Sequence, residues 1–386
     1  MGAIRKHLLI EGWRGINHSF ALVNQCQILE LLAFDDIELS HRDLPYFLPH
    51  WNAKTLDAGF NAVDRARIGA LTEPGERPVD RIYRAAYPFG GALDAPTLTF
   101  MVTECGLSLR DFLPDSRDLR AFTRDRNLIV TPTLWSKERL ADLGLEAERI
   151  RVIPHGVKSG TFHPLSAQER AANRANLGLP EDAVVFLNLG VSTWNKGVDI
   201  LLVAFATLRK RHPRARLILK DQRGLYNVSV DRALGEVASA HPGLFDAGTL
   251  GAIQVVAGNL SQAELRLLYG IADGYVSPYR AEGFNLPVAE AIACGTPAVV
   301  TAGGATDDFC NDDVSIRVDS VPGTRDAPEE GSPIRYCEPR IDALLAAMER
   351  FASGSAIDPE RFARGRDEFV ARMTWRRAAE ALHALI

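Results

Sequence analysis

The first part of the chain shows a pattern of hydrophobic and polar positions that predicts strands alternating with helices. An apolar run at His7–Ile10 leads into a glycine-bearing turn at Gly12–Gly15, and apolar residues then recur at helical spacing from Phe20 to Leu31. This order predicts a strand, a turn and a helix. Further short strands are predicted at Ile37–Leu39, Thr97–Thr103 and Asn127–Thr131. Such alternation is typical of a parallel sheet covered by helices.

The same pattern begins again after a segment rich in proline and glycine. Val152–Pro164 holds two prolines and two glycines, which predicts an interdomain linker. The near-continuous apolar run Ala183–Leu189 is typical of a buried parallel strand, and Val198–Leu208 predicts a largely apolar helix. Later strands and helices are predicted, in order, at Ala215–Leu219, Ile253–Val256, Ser261–Tyr269, Gly274–Ser277, Pro287–Ala293 and Pro297–Thr301.

The length of 386 residues favours two domains, because a single hydrophobic core stops growing at about 250 to 300 residues. We expect an α/β protein with two Rossmann-like, doubly wound domains that face a cleft. The first domain is predicted at residues 1–160 and the second at residues 161–371. The composition of Asp319–Pro339 predicts a loop, and a helix at about 372–386 is expected to cross back to the first domain.

Composition and charge exclude several classes of protein. A net charge of −5 gives no basic footprint for nucleic acid. The five cysteines form no CxxC pair, which argues against a disulfide framework or a zinc site and favours the cytosol. The N-terminal apolar stretch is interrupted too early for a signal peptide, and no run spans a bilayer. The arginine-rich stretches Arg77–Arg84 and Arg120–Arg126 leave peripheral membrane contact open, although a solvated face explains them better.

The densest group of candidate chemical residues lies between Ser277 and Ala291. A predicted strand ends at Ser277, a glycine-containing loop follows, and a helix begins near Leu286 or Pro287, where proline suits the first turn. A helix start with a positive dipole end is a site for a diphosphate. Glu282 lies in the loop and Glu290 lies one turn inside the helix, so the two carboxylates can address different parts of one ligand. Each glutamate taken alone also suits a structural role.

This segment resembles the retaining glycosyltransferases of the GT-B fold, in the large group called family 4. Their signature is two glutamates with seven residues between them, as at Glu282 and Glu290. The residues from 283 to 300 are similar to the family at most positions, although Asn285 stands where the family usually has glycine. The resemblance implies that Glu290 holds the ribose hydroxyls and that Glu282 lies by the donor sugar. It also implies that the phosphates meet the backbone around Gly283, Phe284, Asn285 and Leu286.

A second element follows the first strand of the second predicted sheet. Lys196 resembles the family lysine that neutralises the diphosphate, although a surface lysine is the plain alternative. Val191 stands where the family usually has an arginine. Either Arg280 or another basic group is therefore expected to supply the missing positive charge, or donor binding is expected to be weaker. Lys220 and Asn259 follow two other strands and are expected to contact the base or the diphosphate, with helix capping as the alternative around Asn259.

The first domain offers candidates in the turns that follow its predicted strands. Gly15 and His18 lie in the turn after the opening strand, where α/β sheets bind ligands. His18 is a candidate for donor or acceptor contact and equally for a capping role. The segments His41–Asp43 and Glu104–Gly106 are candidates for the acceptor site.

The sequence therefore predicts an enzyme that transfers a sugar from a nucleoside diphosphate sugar to a saccharide, lipid or other hydroxyl acceptor with retention of configuration. Glu282, Lys196 and His18 are the candidate catalytic residues. No cofactor and no metal are expected, because no DxD-type motif is present and Lys196, Arg280 and the helix start would meet the phosphate charge. A nucleotide-sugar epimerase or hydrolase and a non-catalytic sugar-nucleotide-binding protein remain as alternatives.

Overall fold

The computed structural model describes residues 5–91, 95–123 and 127–386. The chain divides into two compact units. The first consists of Met1–Gly156, Thr324–Arg335 and Met373–Ile386. The second consists of Val157–Gly323 and Tyr336–Arg372. Each unit contains a six-stranded sheet with helices, so the predicted α/β fold with two doubly wound domains is confirmed.

The first unit is built on a parallel sheet with the strand order β2-β1-β3-β4-β5-β6. Its strands are β1 (Lys6–Gly12), β2 (Ile37–Asp43), β3 (Arg81–Ala85), β4 (Thr97–Phe100), β5 (Asn127–Thr131) and β6 (Ile150–Val152). Its helices are α1 (Ser19–Leu31), α2 (Ala62–Gly69), α3 (Leu119–Phe122) and α4 (Leu134–Asp142). The opening strand, turn and helix are confirmed. Strand β4 is shorter than predicted, because the hydroxyl of Thr103 bonds both backbone groups of Gly106 and turns the chain.

Strand β3 has no counterpart among the sequence predictions because two of its five residues are arginines. Its register places Arg84 beside Glu11 of β1, and the two side chains form an ion pair with an N–O distance of 2.8 Å. Glu11 also accepts a hydrogen bond from Arg42 of β2 at 2.8 Å. This pairing between strands that are far apart in sequence neutralises Arg84, so a charged segment can lie inside the sheet.

The second unit is built on another parallel sheet, with the order β12-β11-β10-β7-β8-β9. Its strands are β7 (Val184–Gly190), β8 (Ala215–Asp221), β9 (Ile253–Val256), β10 (Gly274–Ser277), β11 (Ala298–Thr301) and β12 (Ser315–Val318). Its helices up to β11 are α5 (Ala167–Asn176), α6 (Val198–Arg211), α7 (Arg223–Tyr226), α8 (Val230–Ala240), α9 (Ala247–Leu250), α10 (Gln262–Ile271) and α11 (Leu286–Ala293).

The core of the second unit lies between helix α6 and the sheet. Leu201 and Phe205 of α6 are fully buried and pack with Phe186 of β7 and Val276 of β10. Burying a side chain of this size stabilises a fold by about 1.5 to 3 kcal/mol. The core holds β7 and β10 side by side, so the loops that follow these strands leave the sheet at neighbouring positions.

The segment after β12 departs from its sequence prediction. Asp319–Pro339 was expected to be a loop, but it forms a two-stranded sheet of β13 (Ser320–Arg325) and β14 (Ile334–Pro339). Pro328 and Pro333 lie in the connection between the strands, while residues that favour strands, such as Val321 and Tyr336, lie within them. Three helices complete the chain, namely α12 (Ile341–Ala352), α13 (Pro359–Arg372) and α14 (Trp375–His383).

Helix α14 returns to the first unit, as the sequence predicts. The ring of Trp375 stacks on His155 with a centroid distance of 5.4 Å. The ring of His383 stacks on Phe34, and its Nε2 atom lies 3.0 Å from Asp36. Both ends of the terminal helix are therefore fixed to the first unit.

Three structural findings bear on the predictions from composition. None of the helices within the described residues is long and apolar enough to cross a membrane. The five cysteines form no disulfide, and the described part of the chain contains no group of three or more potential ligands that could hold a metal ion. In the arginine-rich stretches, Arg77 and Arg84 are paired with Glu38 and Glu11, whereas residues 124–126 lie outside the described residues. Peripheral membrane contact stays a prediction.

Candidate functional site

Two loops at the carboxyl edge of the second sheet are joined by backbone hydrogen bonds. The loop after β7 presents the carbonyl of Asn195, which accepts from the amides of Arg280 and Ala281 at 2.7 and 3.2 Å. The side-chain amide of Asn195 in turn donates to the carbonyl of Ala281 at 3.2 Å. Because β7 and β10 are neighbours in the sheet, these bonds fix the two candidate motifs against each other.

Lys196 and Glu282 meet at this junction. The ammonium of Lys196 donates to Oε2 of Glu282 at 2.8 Å. The side chain of Glu282 is largely buried and that of Lys196 keeps about a fifth of its surface exposed. The pair is therefore a partly buried ion pair at the edge where α/β sheets bind ligands. Sequence spacing alone gives no indication of this direct contact.

Helix α11 begins with a residue in the left-handed backbone region. Asn285 has φ of 77° and ψ of 64°, and Pro287 follows in the first turn. Asparagine is the residue that best replaces glycine in this region, which explains why it stands where the resembling family has glycine. Its side-chain amide also donates to the hydroxyl of Ser277 at 2.9 Å. The side chain thus joins the end of β10 to the start of α11.

The residues before α11 offer backbone groups to a ligand more than they offer side chains. Phe284 is buried, and its ring stacks on Phe309 with a centroid distance of 4.7 Å. Gly283 is buried as well, and Leu286 is half-buried as the first residue of the helix. An α-helix leaves its first N–H groups without partners in the helix, and its positive end attracts anions. This arrangement suits a diphosphate.

Glu290 lies one turn further along α11 and accepts a hydrogen bond from a tyrosine. The hydroxyl of Tyr269 donates to Oε2 of Glu290 at 2.8 Å. Desolvation raises the pKa of Glu290 to about 7, although the bond from Tyr269 lowers the pKa in part. Glu290 as a whole is only partly buried. Tyr269 is a site residue that the sequence interpretation missed, since nothing local distinguishes it from a core aromatic.

Arg280 is committed to contacts within the protein, which argue against its predicted contact with the diphosphate. Its guanidinium is largely buried and makes two hydrogen bonds to Asp199, one at 2.8 and one at 2.7 Å. It donates also to Glu338 at 2.8 Å and to the carbonyl of Trp194 at 2.7 Å. Four of its five N–H groups are thus committed. Burial opposes its charge, but the bonds to Asp199 and Glu338 outweigh burial and raise its pKa.

Lys220 is also turned inward, and its predicted contact with the donor stays a prediction. Its side chain is buried, and its ammonium donates to the carbonyl of Asp221 at 2.7 Å. Burial lowers the pKa of Lys220 to about 8. Lys220 therefore supports the end of β8. Asn259 lies in the exposed loop between β9 and α10, at the carboxyl edge as predicted, and its contact with the base stays a prediction.

Val191, in the position of the missing arginine, is buried at the end of β7. The sequence offers three positive groups for the phosphates, namely Lys196, Arg280 and Lys220. In the structure, Arg280 and Lys220 instead hydrogen-bond to neighbouring groups of the protein. Lys196 is the one of the three that remains at the helix start, and it is paired with Glu282.

In the first unit, His18 is a buried capping residue. Its Nδ1 atom accepts from the amide of Phe20 at 3.2 Å, at the start of α1. Its ring packs against Trp51 and Trp13, with centroids 4.8 and 5.2 Å apart. Desolvation lowers the pKa of His18 to about 3, so the imidazole is neutral at pH 7. This geometry favours the capping alternative over a proton-transfer role. The amide of Gly15, in the same turn, donates to Gln25 at 3.1 Å.

The candidate acceptor segments lie at the carboxyl edge of the first sheet. His41 is buried, and desolvation together with the charge of Arg14 lowers its pKa to about 4. Arg42 donates to Glu73 and Glu11. In the other segment the carbonyl of Cys105 accepts from the amide of Arg335, at the base of the β13–β14 connection. These groups mostly support the loops around them.

Comparison with known proteins finds similarity over part of the chain. Residues 169–320 match the family model described as glycosyl transferases group 1. A D-inositol 3-phosphate glycosyltransferase of Nocardioides sp. is 35% identical over 46% of this chain and 39% of its own length. A mannosylfructose-phosphate synthase of Agrobacterium fabrum is 32% identical over 46% of this chain and 38% of its own length. The chain thus spans about two fifths of the length of these curated relatives.

Solved structures share the fold over nearly the whole chain. Anabaena HepE in complex with UDP and glucose has a TM-score of 0.69 at 15% identity, covering 99% of both chains. The sucrose-phosphate synthase of Thermosynechococcus elongatus has a TM-score of 0.68 at 17% identity, covering 99% of this chain and 98% of its own. At such identities the likeness establishes the fold. It agrees with the GT-B architecture that the sequence predicts.

Proposed function

Since residues 169–320 match the family model of glycosyl transferases group 1, we propose that this protein transfers a sugar from a nucleoside diphosphate sugar to a hydroxyl acceptor with retention of configuration. The hydrogen bond between Lys196 and Glu282 at the start of α11 carries the proposal. It places a cation, a carboxylate and a helix N-terminus side by side. These are the groups that a diphosphate leaving group and its sugar require.

The donor is proposed to lie along the first turns of α11. The phosphates contact the backbone around Phe284, Asn285 and Leu286, and Lys196 adds a point charge. The ribose hydroxyls donate to Glu290, because a carboxylate accepts two hydroxyl hydrogens from a diol. Glu282 lies by the sugar and the leaving phosphate. No metal ion is required in this scheme, since Lys196 and the helix start meet the charge that develops on the diphosphate.

The chemical step is proposed to occur on one face of the sugar. The bond from the anomeric carbon to the diphosphate oxygen breaks while the bond to the acceptor oxygen forms on the same side. The proton of the acceptor hydroxyl passes to the leaving phosphate. Glu282 is held by Lys196 at 2.8 Å, which fixes the position of the carboxylate and favours an electrostatic role over a nucleophilic one.

A thermal-shift screen with UDP-, GDP-, ADP- and dTDP-sugars tests the donor site. A ligand that binds only the folded protein raises its melting temperature by mass action. UDP-glucose is the first donor to test, because HepE was solved with it. We expect at least one nucleotide sugar to raise the melting temperature. The absence of any shift across the four bases would remove the donor-site proposal.

A matched pair of lysine variants links the shift to the site. Lys196→Met is expected to weaken binding of the donor about tenfold or more, which corresponds to at least about 1.4 kcal/mol. Lys210→Met is the control, because Lys210 lies in the same unit and its ammonium bonds the carbonyl of Gly243 on the surface. Equal donor affinity in the two variants would contradict the role of Lys196.

One observation favours a second candidate function. Arg280 and Lys220 are committed to structural contacts and Val191 replaces an arginine, so the phosphate site is poorer in positive charge than predicted. A sugar-nucleotide-binding protein without turnover would tolerate this loss. Product analysis by NMR with the donor and a panel of hydroxyl acceptors separates the cases. A glycoside with the anomeric configuration of the donor supports the transferase, free sugar supports a hydrolase, and an unchanged donor supports a binding protein.

A further inference from the structure

The carboxyl edge of the first sheet carries a group of aromatic residues in the loops that follow its strands. Trp51 lies in the loop after β2, and Tyr87 and Phe89 lie in the loop after β3. The ring of Tyr87 meets that of Phe89 edge-on at 5.5 Å. Loops at this edge are where α/β sheets bind ligands, so the group lies in a position suited to a substrate.

Phe47 is the exposed member of this group. Its side chain is 44% exposed, while its ring meets the ring of Tyr87 edge-on with a centroid distance of 4.7 Å. Its ring also lies 6.5 Å from that of Trp51. Since β1 lies between β2 and β3 in the sheet, the contact between Phe47 and Tyr87 bridges the end of β1.

The two residues that precede Phe47 are fixed by hydrogen bonds to the turn after β1. The indole of Trp13 donates to the carbonyl of Pro45 at 2.9 Å. The hydroxyl of Tyr46 donates to the carbonyl of Arg14 at 2.7 Å. These bonds, together with the contact with Tyr87, hold the ring of Phe47 in place before a ligand binds. A fixed aromatic ring costs little entropy when a ligand stacks on it.

A polar pair lies next to this ring. The hydroxyl of Tyr87 donates to Oδ1 of Asp111 at 2.6 Å, and the other oxygen of Asp111 accepts from the amide of Ser108 at 2.7 Å. Asp111 keeps part of its surface exposed. An aromatic face beside hydroxyl-bonding groups matches a pyranose ring, which has an apolar C–H face and a rim of hydroxyls.

The arginines at the ends of the first three strands are all neutralised by carboxylates. Arg14 forms two hydrogen bonds to Asp43, at 2.8 and 2.5 Å. Arg42 and Arg84 share Glu11, with distances of 2.8 Å each. A phosphate on the acceptor would have to compete with Asp43 for Arg14 or with Glu11 for Arg42 and Arg84, and losing one of the latter cations would leave the buried carboxylate of Glu11 less compensated. The D-inositol 3-phosphate glycosyltransferase relatives carry the name of a phosphorylated polyol, whereas the paired arginines of this chain favour an acceptor without a phosphate.

We propose that Phe47, backed by Tyr87 and Asp111, forms the acceptor subsite and that the acceptor is a neutral saccharide whose pyranose ring stacks on Phe47. The proposal rests on the glycosyltransferase function proposed above. It derives the chemical class of the acceptor from contacts within the first unit alone.

Acceptor competition tests the substrate class. Transfer is measured with the nucleotide sugar that gives the largest thermal shift, with methyl glucoside, methyl mannoside and methyl galactoside in one arm. Glucose 6-phosphate, fructose 6-phosphate and myo-inositol 1-phosphate form the other arm. We expect the ratio kcat/KM to be at least tenfold higher for the best neutral pyranoside. A preference for any phosphorylated acceptor overturns the proposal.

Substitutions at Phe47 test the subsite. Phe47→Ala is expected to weaken pyranoside binding about tenfold, Phe47→Leu to weaken it nearly as much, and Phe47→Trp to retain it, because stacking needs a ring rather than bulk. Val63→Ala is the control, since Val63 is another exposed apolar residue of the first unit, on α2. Saturation-transfer NMR reports pyranoside binding whether or not turnover occurs. Equal binding in wild type and Phe47→Ala, or no pyranoside binding by wild type, overturns the proposal.

The two proposals fail in different ways. Failure of the donor proposal removes the thermal shift by nucleotide sugars, which depends on the second unit. Failure of the acceptor proposal leaves that shift in place and removes only the dependence on Phe47. Pyranoside binding that requires Phe47 without any nucleotide-sugar shift would support a saccharide site and contradict the glycosyltransferase assignment.

Discussion

Gly197 and Pro278 approach each other so closely that a β-carbon on Gly197 would lie 1.9 Å from the carbonyl oxygen of Pro278. Gly197 also has φ of 68°, in the left-handed region that favours glycine. The contact joins the loop that carries Lys196 to the loop that carries Glu282. The two candidate motifs can therefore approach this closely only because Gly197 has no side chain.

Gly197→Ala is expected to separate these loops. The clash and the backbone strain together should lower the free energy of unfolding by about 3 kcal/mol, and donor affinity should fall at least tenfold. Gly178→Ala is the matched control, because Gly178 has φ of 67° and no atom within 4 Å of the added β-carbon. It should cost about 1 kcal/mol and leave donor affinity unchanged. Chemical denaturation and calorimetric titration measure both quantities, and equal effects of the two variants would contradict the close-approach argument.

Donor binding is expected to depend on the proton of Glu290. Its pKa is raised to about 7, so the carboxyl is mostly protonated at pH 6 and mostly ionised at pH 8. The ionised form accepts both ribose hydroxyls, and affinity for a nucleotide sugar should therefore increase as the pH rises through 7. In Glu290→Gln the affinity should be lower and nearly independent of pH over this range. Parallel pH profiles of the two proteins would rule out this role.

The same group should affect stability in the opposite sense. The folded protein holds the Glu290 proton more tightly than the unfolded chain, since the folded pKa lies above the ordinary value of 4.5. The free energy of unfolding should therefore fall as the pH rises from about 4.5 to 7, by on the order of 3 kcal/mol from this group. Melting temperatures of wild type minus those of Glu290→Gln, measured from pH 5 to 8, should decrease across this interval. A difference that grows with pH would refute the assignment.

Arg280→Ala is expected to affect stability more than donor binding. The substitution removes the bonds to Asp199 and Glu338, but both carboxylates are nearly half exposed and can be solvated. We expect a loss of about 2 kcal/mol in the free energy of unfolding. Arg317→Ala, which breaks the exposed pair with Asp312, is the control and should cost less than about 1 kcal/mol. A large loss of donor affinity with unchanged stability would restore Arg280 to the phosphate site.

Asn285→Ala tests the start of α11. Alanine is disfavoured at φ of 77°, and the bond to Ser277 is lost, so unfolding should become easier by about 2 kcal/mol and donor binding weaker. Asn285→Gly should lose less stability, because glycine relieves the backbone strain. Asn227→Ala, at an exposed site with φ of 55°, controls for strain alone and should leave donor affinity unchanged. Weaker donor binding in this control would point to a general loss of structure.

The local order of elements around the site could be predicted from the sequence. The strand at Gly274–Ser277 has the predicted bounds, and the helix after it begins one residue from the prediction. The capping box of Ser261 and Glu264 at the start of α10 is also present. Periodicity, capping and turn chemistry act between residues a few positions apart, so a single sequence contains them in full.

The sequence thus determined the two-sheet fold, the position of the loop before α11 and the spacing of Glu282 and Glu290. Only the tertiary structure decided that Arg280 supports the loops, that Lys196 pairs with Glu282, and that His18 is enclosed by aromatic rings. Desolvation and ion pairing decide these roles, and both depend on neighbours that are distant in sequence. Asp199 lies 81 positions from Arg280, and Lys196 lies 86 positions from Glu282. No local sequence pattern specifies which of several charged residues will pair with such a distant neighbour.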